Sequence, residues 1–217
     1  MAGLIADPLK AARVILSLRR QGIRDDGVLS ALETVDRAAF VPPGLAEVAN
    51  EDVSLPIEGG QAIPRPSVTA KLLQTLDIPP GNAQRVLLVG AGSGYTAALL
   101  SQLCRHVYAM ERLRTLAEAT ADRLATLGVD NVSVRHGDGL LGLPEHGPFD
   151  RILLAGGLKT VPAVLIDQLS KSGRLVGLVS GSGGKMMLRA YVGRQIVFEE
   201  ICHEAVTSLV PGVSQAL

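Results

Sequence analysis

A turn rich in glycine is the part of this sequence whose residue spacing most directly indicates a ligand site. Glycines stand at positions 90, 92 and 94, between the apolar run Arg85–Val89 and a helix-like segment that begins at Tyr95. Because glycine lacks a Cβ, such a turn lets a ligand approach the backbone closely, and ligands of open α/β sheets bind where the strands end. The dinucleotide fingerprint needs a third glycine where this chain has Tyr95, and a P-loop needs a Gly-Lys-Ser/Thr sequence that this chain lacks.

Two acidic residues extend the candidate ligand site, because each of them follows a predicted strand. A carboxylate at Glu111 can accept hydrogen bonds from both hydroxyls of a ribose, although an acid there can also stabilise the first turn of a helix. A carboxylate at Asp138 can accept a hydrogen bond from an adenine amino group, or it can form an Asx turn. The glycine spacing resembles motif I of S-adenosylmethionine-dependent methyltransferases. Together with the two acids it predicts a site for an adenosyl ligand, with a purely structural tight turn as the alternative.

The pattern of apolar residues predicts the elements that position this site. Two helices are expected over residues 8–37, and residues 40–66 are rich in proline and glycine, which predicts a long loop that lines a site. After a helix at 67–76, strands and helices alternate. The strands are predicted at 85–89, 106–110, 132–134, 149–154 and 174–179, with two more between 186 and 206, and the helices at 95–103, 113–127 and 162–169. Such alternation predicts an α/β domain with a mostly parallel sheet and right-handed crossovers.

Composition argues against several classes of function. Lys and Arg together number 21 in the 217 residues, as do Asp and Glu, so the formal charge is zero and gives no sign of nucleic-acid or anionic-membrane binding. Aromatic residues make up 3% and Trp is absent, which argues against a stacking platform for single-stranded nucleic acid. Cys104 and Cys202 are expected to be small buried apolar residues, and the scattered histidines predict no metal site. No run approaches the roughly 18 apolar residues of a membrane span, so we expect a cytoplasmic protein without a membrane partner.

Taken as a whole, the chain resembles the protein-L-isoaspartate O-methyltransferases, a family of class I S-adenosylmethionine-dependent methyltransferases. The segments that match the family's motifs occur in the family's order and cover roughly residues 20–180. They are residues 22–25, 37–42, 51–52, 55–57, 60–61, 92–95, 137–139, 148–150 and 168–176. Their joint occurrence is far more specific for the family than the glycine turn alone.

The resemblance implies a Rossmann-like, doubly wound, mostly parallel sheet with an N-terminal helical extension. Residues 1–80 are then expected to form the N-terminal helices and the acceptor-side loop, packed on a cofactor-binding core of residues 81–217. The implied cofactor is S-adenosyl-L-methionine. The implied partner is a protein or peptide with an exposed carboxylate, the α-carboxylate of an L-isoaspartyl residue, whose methylation begins the repair of damaged protein. The implied cofactor-binding residues are Gly90, Gly92, Ser93, Gly94, Tyr95, Glu111, Arg112, Asp138 and Gly139.

The segment that should hold the acceptor departs from the family pattern. The family's Gly-Gln-Thr-Ile-Ser reads Gly-Gln-Ala-Ile-Pro at residues 60–64, so Ala62 and Pro64 replace two hydroxyl donors, and Pro64 also lacks a backbone N–H. Arg65, which can grip a carboxylate in a bidentate manner, and Ser67 are the candidate catalytic substitutes. A solvated loop arginine and a helix N-cap are their alternative roles.

Two further departures concern the cofactor and the C-terminal region. Leu88 stands where the family usually has an acid that helps to hold the cofactor, and Leu-Val-Pro-Gly at residues 209–212 replaces Phe-Val-Pro-Leu. Three hypotheses are left open by the sequence: an active methyltransferase of isoaspartyl carboxylates, a methyltransferase with a different acceptor, and a non-catalytic relative that serves as a binding or assembly module. The oligomeric state, and whether residues 43–66 close over the cofactor as a lid, are left open as well.

Overall fold

The computed structural model describes residues 8–81, 84–204 and 206–214. Within these residues the α-helices are α1 (Pro8–Arg20), α2 (Asp26–Thr34), α3 (Pro66–Leu76), α4 (Tyr95–Ser101), α5 (Arg114–Thr126) and α6 (Ala163–Asp167). The strands are β1 (Leu55–Pro56), β2 (Ala62–Ile63), β3 (Arg85–Val89), β4 (His106–Glu111), β5 (Val132–His136), β6 (Phe149–Leu158), β7 (Leu169–Ser180), β8 (Met186–Val192) and β9 (Gln195–Cys202).

Seven of the strands form one sheet in the order β5-β4-β3-β6-β7-β8-β9. The first five run parallel, whereas β8 and β9 are antiparallel to their neighbours. The connections after β3 lead to one side of it through β4 and to the other side through β6, so the strand order reverses at β3. In a doubly wound sheet this reversal opens a crevice at the carboxyl ends of the strands. The predicted α/β, Rossmann-like, mostly parallel fold is therefore confirmed.

Strand β3 is buried on both faces, as a central parallel strand requires. Val86 and Leu88 are 0% exposed and belong to the same apolar cluster as Leu18, Leu29 and Leu73 of the first three helices. The alternate residues of β3 pack into a second cluster on the other face of the sheet. Helices α1–α3 thus share a core with the sheet. The proposed division into residues 1–80 and 81–217 stays a prediction, and residues 1–7 and 215–217 lie outside the described residues.

Local signals mark the end of the first helix and the start of the second, while α2 ends at Thr34, before the predicted limit at residue 37. Gly22 follows α1 with a φ of +92°, a left-handed conformation that favours glycine and stops a helix. Asp25 caps α2, because its carboxylate accepts a hydrogen bond from the backbone N–H of Val28 at 2.9 Å. These two signals fix the angle at which α2 turns back onto the core.

Several predicted boundaries differ from the structure. Helix α4 ends at Ser101 and α6 at Asp167, each two residues before the predicted end, while β6 continues to Leu158, four residues past its predicted end. In this added part of β6, Gly157 and Leu158 pair with Leu178 and Val179 of β7, and Gly157 also forms a bridge to Ser208, far along the chain. Burial raises the pKa of the Cys104 thiol to about 12, as expected for a small core residue, whereas Cys202 is only partly buried.

The predicted long loop between α2 and α3 contains short 3-10 turns and the two-stranded sheet β1–β2. One buried side chain organises it: Arg37 is 2% exposed, and its guanidinium donates to five backbone carbonyls of the segment. The three closest acceptors are the carbonyls of Ala49 at 2.7 Å, Val53 at 2.9 Å and Pro64 at 3.0 Å. Burial lowers the pKa of Arg37. Three separate points of the segment are therefore tied to one side chain, although nothing in the sequence analysis singled out Arg37.

Replacing Arg37 with leucine should destabilise the protein. The substitution Arg37→Leu leaves the three carbonyls buried without a donor, and we expect a loss of about 3 kcal/mol in the free energy of unfolding. Urea denaturation followed by circular dichroism measures the loss. The exposed Arg20 provides the matched control, because Arg20→Leu should change stability by less than about 0.5 kcal/mol. Equal stability of the two variants would contradict the anchoring role.

Candidate active site

The glycine turn between β3 and α4 adopts a backbone conformation that only glycine takes up readily. The φ angles of Gly90, Gly92 and Gly94 are +89°, +56° and +93°. A Cβ on Gly94 would lie 2.9 Å from Thr120 Cγ2, so the glycine at that position allows α5 to pack closely. A Cβ on Gly92 would meet nothing nearer than Ile57 Cδ1 at 3.7 Å, so Gly92 leaves space above the turn.

The polar groups of the turn are satisfied by the surrounding protein. The N–H groups of Gly90 and Ala91 donate to the carbonyl of Met110 at 2.9 and 3.0 Å. The Thr120 hydroxyl donates to the Gly92 carbonyl at 2.5 Å, and Arg123 donates to the Ser93 carbonyl at 2.8 Å. Because its neighbours hold it from both sides, the turn has a defined shape before any ligand binds.

Glu111 lies beside the turn at the end of β4. It is 6% exposed, and its two carboxylate oxygens each accept one backbone hydrogen bond at 3.0 Å, from Gly92 and from Leu113. The bond from Leu113, immediately before α5, corresponds to the structural role that the sequence left as an alternative. The bond from Gly92 fixes the carboxylate next to the turn. Each oxygen keeps a further lone pair with which it can accept a ligand hydroxyl.

Asp138 and Arg112 hold the segment formed by residues 206–214, called here the C-terminal segment. Asp138 Oδ1 accepts from the Leu140 N–H at 2.9 Å, which is the Asx arrangement given above as its alternative role. Asp138 Oδ2 accepts from the Gly212 N–H at 2.6 Å, and Arg112 Nε donates to the Gly212 carbonyl at 3.2 Å. Gly139 has a packing role, since a Cβ there would lie 2.7 Å from Val89 Cγ1.

The C-terminal segment crosses the carboxyl ends of the sheet strands. The N–H of Gly157 donates to the Thr207 carbonyl, and the N–H of Leu209 donates to the Gly157 carbonyl, both at 2.9 Å. The segment therefore pairs with β6 beyond the point where β3 ends. Leu209 packs over the turn: a Cβ added to Gly90 would lie only 3.0 Å from Leu209 Cδ2. Sequence reasoning noted residues 209–212 only as a departure from a family pattern and did not foresee this position.

The turn, the loop and the C-terminal segment enclose one cleft of about 860 Å³, including its open mouth. Residues 61–64 form one wall and residues 207–210 form another. The cleft brings together eight of the nine predicted cofactor residues: Gly90, Gly92, Ser93, Tyr95, Glu111, Arg112, Asp138 and Gly139. Gly94 lies in the same turn but faces α5.

Tyr95 links the cleft to the loop anchor. Its ring is 3% exposed and lies 5.6 Å from the Phe40 ring, measured between centroids, and 5.9 Å from the guanidinium carbon of Arg37. Burial raises the pKa of the Tyr95 phenol, so it stays neutral. The residue that begins α4 therefore packs against the side chain that holds the acceptor-side loop.

A sequence model of the family described as "Protein-L-isoaspartate(D-aspartate) O-methyltransferase" matches residues 9–214. The chain belongs to this family.

Relatives of similar length share the family assignment. A protein-L-isoaspartate O-methyltransferase of Parvibaculum lavamentivorans is 43% identical over 206 residues, covering 93% of this chain and 92% of the relative. One of Azorhizobium caulinodans is 40% identical over 215 residues, covering 98% of each. A crystal structure with S-adenosyl-L-homocysteine, of a protein assigned as this enzyme in Plasmodium falciparum, has a TM-score of 0.75 at 22% identity and covers 94% of this chain and 99% of that one. The predicted family and the class of S-adenosylmethionine-dependent methyltransferase are confirmed.

The two candidate catalytic substitutes of this family member do not line the cleft. The guanidinium of Arg65 pairs with the carboxylate of Glu204 at 2.9 Å. Ser67 lies in a separate groove beside Lys71, and its backbone N–H donates to Asp52 at 2.9 Å. Ala62 and Pro64, the residues at the family's hydroxyl positions, do line the cleft.

Leu88, which stands where the family usually has an acid, is fully buried within β3 and does not line the cleft. Among the described residues no group of three or more His, Cys, Asp or Glu side chains is arranged to hold a metal ion. In the same part of the chain, no helix has the length and apolar character needed to cross a membrane.

Removing the Asp138 carboxylate should loosen the C-terminal segment. In Asp138→Ala the Gly212 N–H loses its acceptor, so we expect the Gly212 amide to exchange its hydrogen at least about tenfold faster. Hydrogen exchange followed by nuclear magnetic resonance gives the rate. Asp130→Ala, at an exposed turn position, is the control and should leave the rate unchanged. An unaltered rate in the Asp138 variant would show that the segment is held by other contacts.

Proposed function

We propose that this protein methylates the α-carboxylate of L-isoaspartyl residues in damaged proteins and peptides, with S-adenosyl-L-methionine as the methyl donor. The observation that carries the proposal is that a single cleft combines two features. On one side lies the glycine turn with Glu111, and on the other lies the wall of residues 61–64 at the family's acceptor position. The names of the full-length relatives support the same activity.

The residues present fit the cofactor. Gly92 leaves the space above the turn open, and Glu111 is held at its edge with unused acceptor capacity for the ribose hydroxyls. Asp138 can accept from the adenine amino group with the lone pairs that Leu140 and Gly212 do not occupy. When bound, S-adenosyl-L-methionine supplies a methyl group that is attached to a positively charged sulfur. A carboxylate oxygen forms a bond to this methyl group as the carbon–sulfur bond breaks, and the sulfur keeps the electrons of the broken bond.

The protein needs no general base for this reaction. An α-carboxylate has a pKa of about 3.5 and is already an anion at neutral pH. The task of the chain is therefore to align the two reactants and to exclude water. Ala62, Ile63 and Pro64 give an apolar wall that serves the second purpose. The ion pair between Arg65 and Glu204, away from the cleft, argues against Arg65 as the carboxylate ligand.

The activity is tested with a synthetic isoaspartyl peptide and S-adenosylmethionine labelled on its methyl group. We expect a base-labile methyl ester with this peptide and none with the matched peptide that contains normal aspartate. Binding of S-adenosylhomocysteine without ester formation would refute the isoaspartyl acceptor and would favour the hypothesis of a different acceptor.

Glu111→Gln should weaken cofactor binding. The amide keeps the size of the side chain but places an NH₂ group against one of the two backbone N–H donors, and it removes the negative charge. We expect the affinity for S-adenosylhomocysteine to fall at least about tenfold, measured by titration calorimetry. Glu118→Gln, at an exposed position on α5, should bind as the unmodified protein does. Equal affinities of the two variants would refute the role of Glu111.

A further inference from the structure

The acceptor wall of the cleft has a shortage of hydrogen-bond donors. The side chains of Ala62, Ile63 and Pro64 cannot donate, and Pro64 has no backbone N–H. The side-chain amide of Gln61 uses one of its two N–H groups on the Gly59 carbonyl, at 3.0 Å. A carboxylate that enters this cleft loses water, and burying it without donors is costly. Some other part of the cleft has to supply them.

The C-terminal segment forms the wall that faces the cleft alongside residues 61–64, and it carries the hydroxyls of Thr207 and Ser208. Exposure alternates along it: Thr207 and Leu209 are partly buried, whereas Ser208 and Val210 are exposed. In an extended segment alternate side chains share a face. Thr207 therefore lies on the same face as Leu209, which packs over Gly90, while Ser208 lies on the opposite, exposed face.

The backbone of Thr207 is held in place by a hydrogen bond, whereas its side chain is not. Its backbone carbonyl accepts from the Gly157 N–H at 2.9 Å, at the carboxyl end of β6. Within the described residues, by contrast, no hydrogen bond engages its hydroxyl. The main chain is thus fixed by a rigid element and the side-chain donor is left for a ligand.

We propose that the Thr207 hydroxyl donates a hydrogen bond to the acceptor carboxylate. It thereby supplies the side-chain donor that Ala62, Ile63 and Pro64 lack. The inference rests on the proposed function, because it concerns the acceptor side of the same cleft. It assigns the acceptor subsite to a segment more than 140 residues away from the wall at residues 61–64.

The test compares three variants in steady-state kinetics with the isoaspartyl peptide. Thr207→Val keeps the shape but removes the hydroxyl, so kcat/KM for the peptide should fall about tenfold to a hundredfold. Thr207→Ser keeps a hydroxyl and should restore kcat/KM to within about threefold. Thr115→Val, at an exposed position on α5 away from the cleft, is the matched control and should change kcat/KM by less than about twofold. The affinity of all three for S-adenosylhomocysteine should stay unchanged, which shows that the fold and the cofactor side are intact.

Three results would overturn the inference alone. The first is an unchanged kcat/KM in Thr207→Val, and the second is an equal loss in Thr207→Val and Thr207→Ser, which would assign the effect to packing. Loss of S-adenosylhomocysteine binding in Thr207→Val would likewise place the residue on the cofactor side and refute the assignment. If the unmodified protein binds S-adenosylhomocysteine but forms no ester, the proposed function itself is refuted, and the inference falls with it.

Discussion

Glu111 is almost completely buried at the end of β4, and each of its carboxylate oxygens accepts a backbone hydrogen bond, one from Gly92 and one from Leu113. The two bonds join a strand, the turn after its neighbour and the start of α5. Thr120 holds the carbonyl of Gly92 from the other side. Both the N–H and the carbonyl of Gly92 are fixed, so the glycine turn keeps its left-handed backbone. Residues 90–93 of this turn form the floor of the cleft. The rest of the site is built around this floor.

The two walls of the cleft come from distant parts of the chain and are held by different means. The acceptor-side loop is tied to the core by the guanidinium of Arg37, and the C-terminal segment is tied to β6 and to Asp138 by its own backbone. The sheet supports both walls, since the reversal of strand order at β3 leaves its carboxyl end uncovered. The cleft is thus bounded by two segments that are anchored to one rigid layer.

The parts of the structure that could be predicted are those with local signals. Alternating strands and helices predicted the sheet, and the spacing of Gly90, Gly92 and Gly94 predicted a tight turn between β3 and α4, where the structure has one. Glu111 was predicted because it ends the strand next to that turn. The two possible roles of Asp138 could not be separated, since the Asx turn is local but the bond from Gly212 spans 74 residues.

The parts that could not be predicted depend on contacts between distant residues without a pattern. Nothing in the sequence shows that Arg65 pairs with Glu204, because either side chain has many possible partners on a surface. The bridge between Gly157 and Ser208 likewise joins two segments that are far apart in the chain. The position of Arg37 had one available signal, a single cation in an apolar stretch, but an arginine of that kind is more often exposed than buried.

The way in which Arg37 holds the loop has a consequence for how this wall can change during evolution. All three of its close partners are main-chain carbonyls, at Ala49, Val53 and Pro64, so the anchor is insensitive to which side chains those positions carry. Even proline, which has no N–H to offer, supplies the same carbonyl. Mutations can therefore change the side chains of the wall while its backbone keeps the same path. The side chains of this wall can thus vary without loss of the contacts that stabilise its fold.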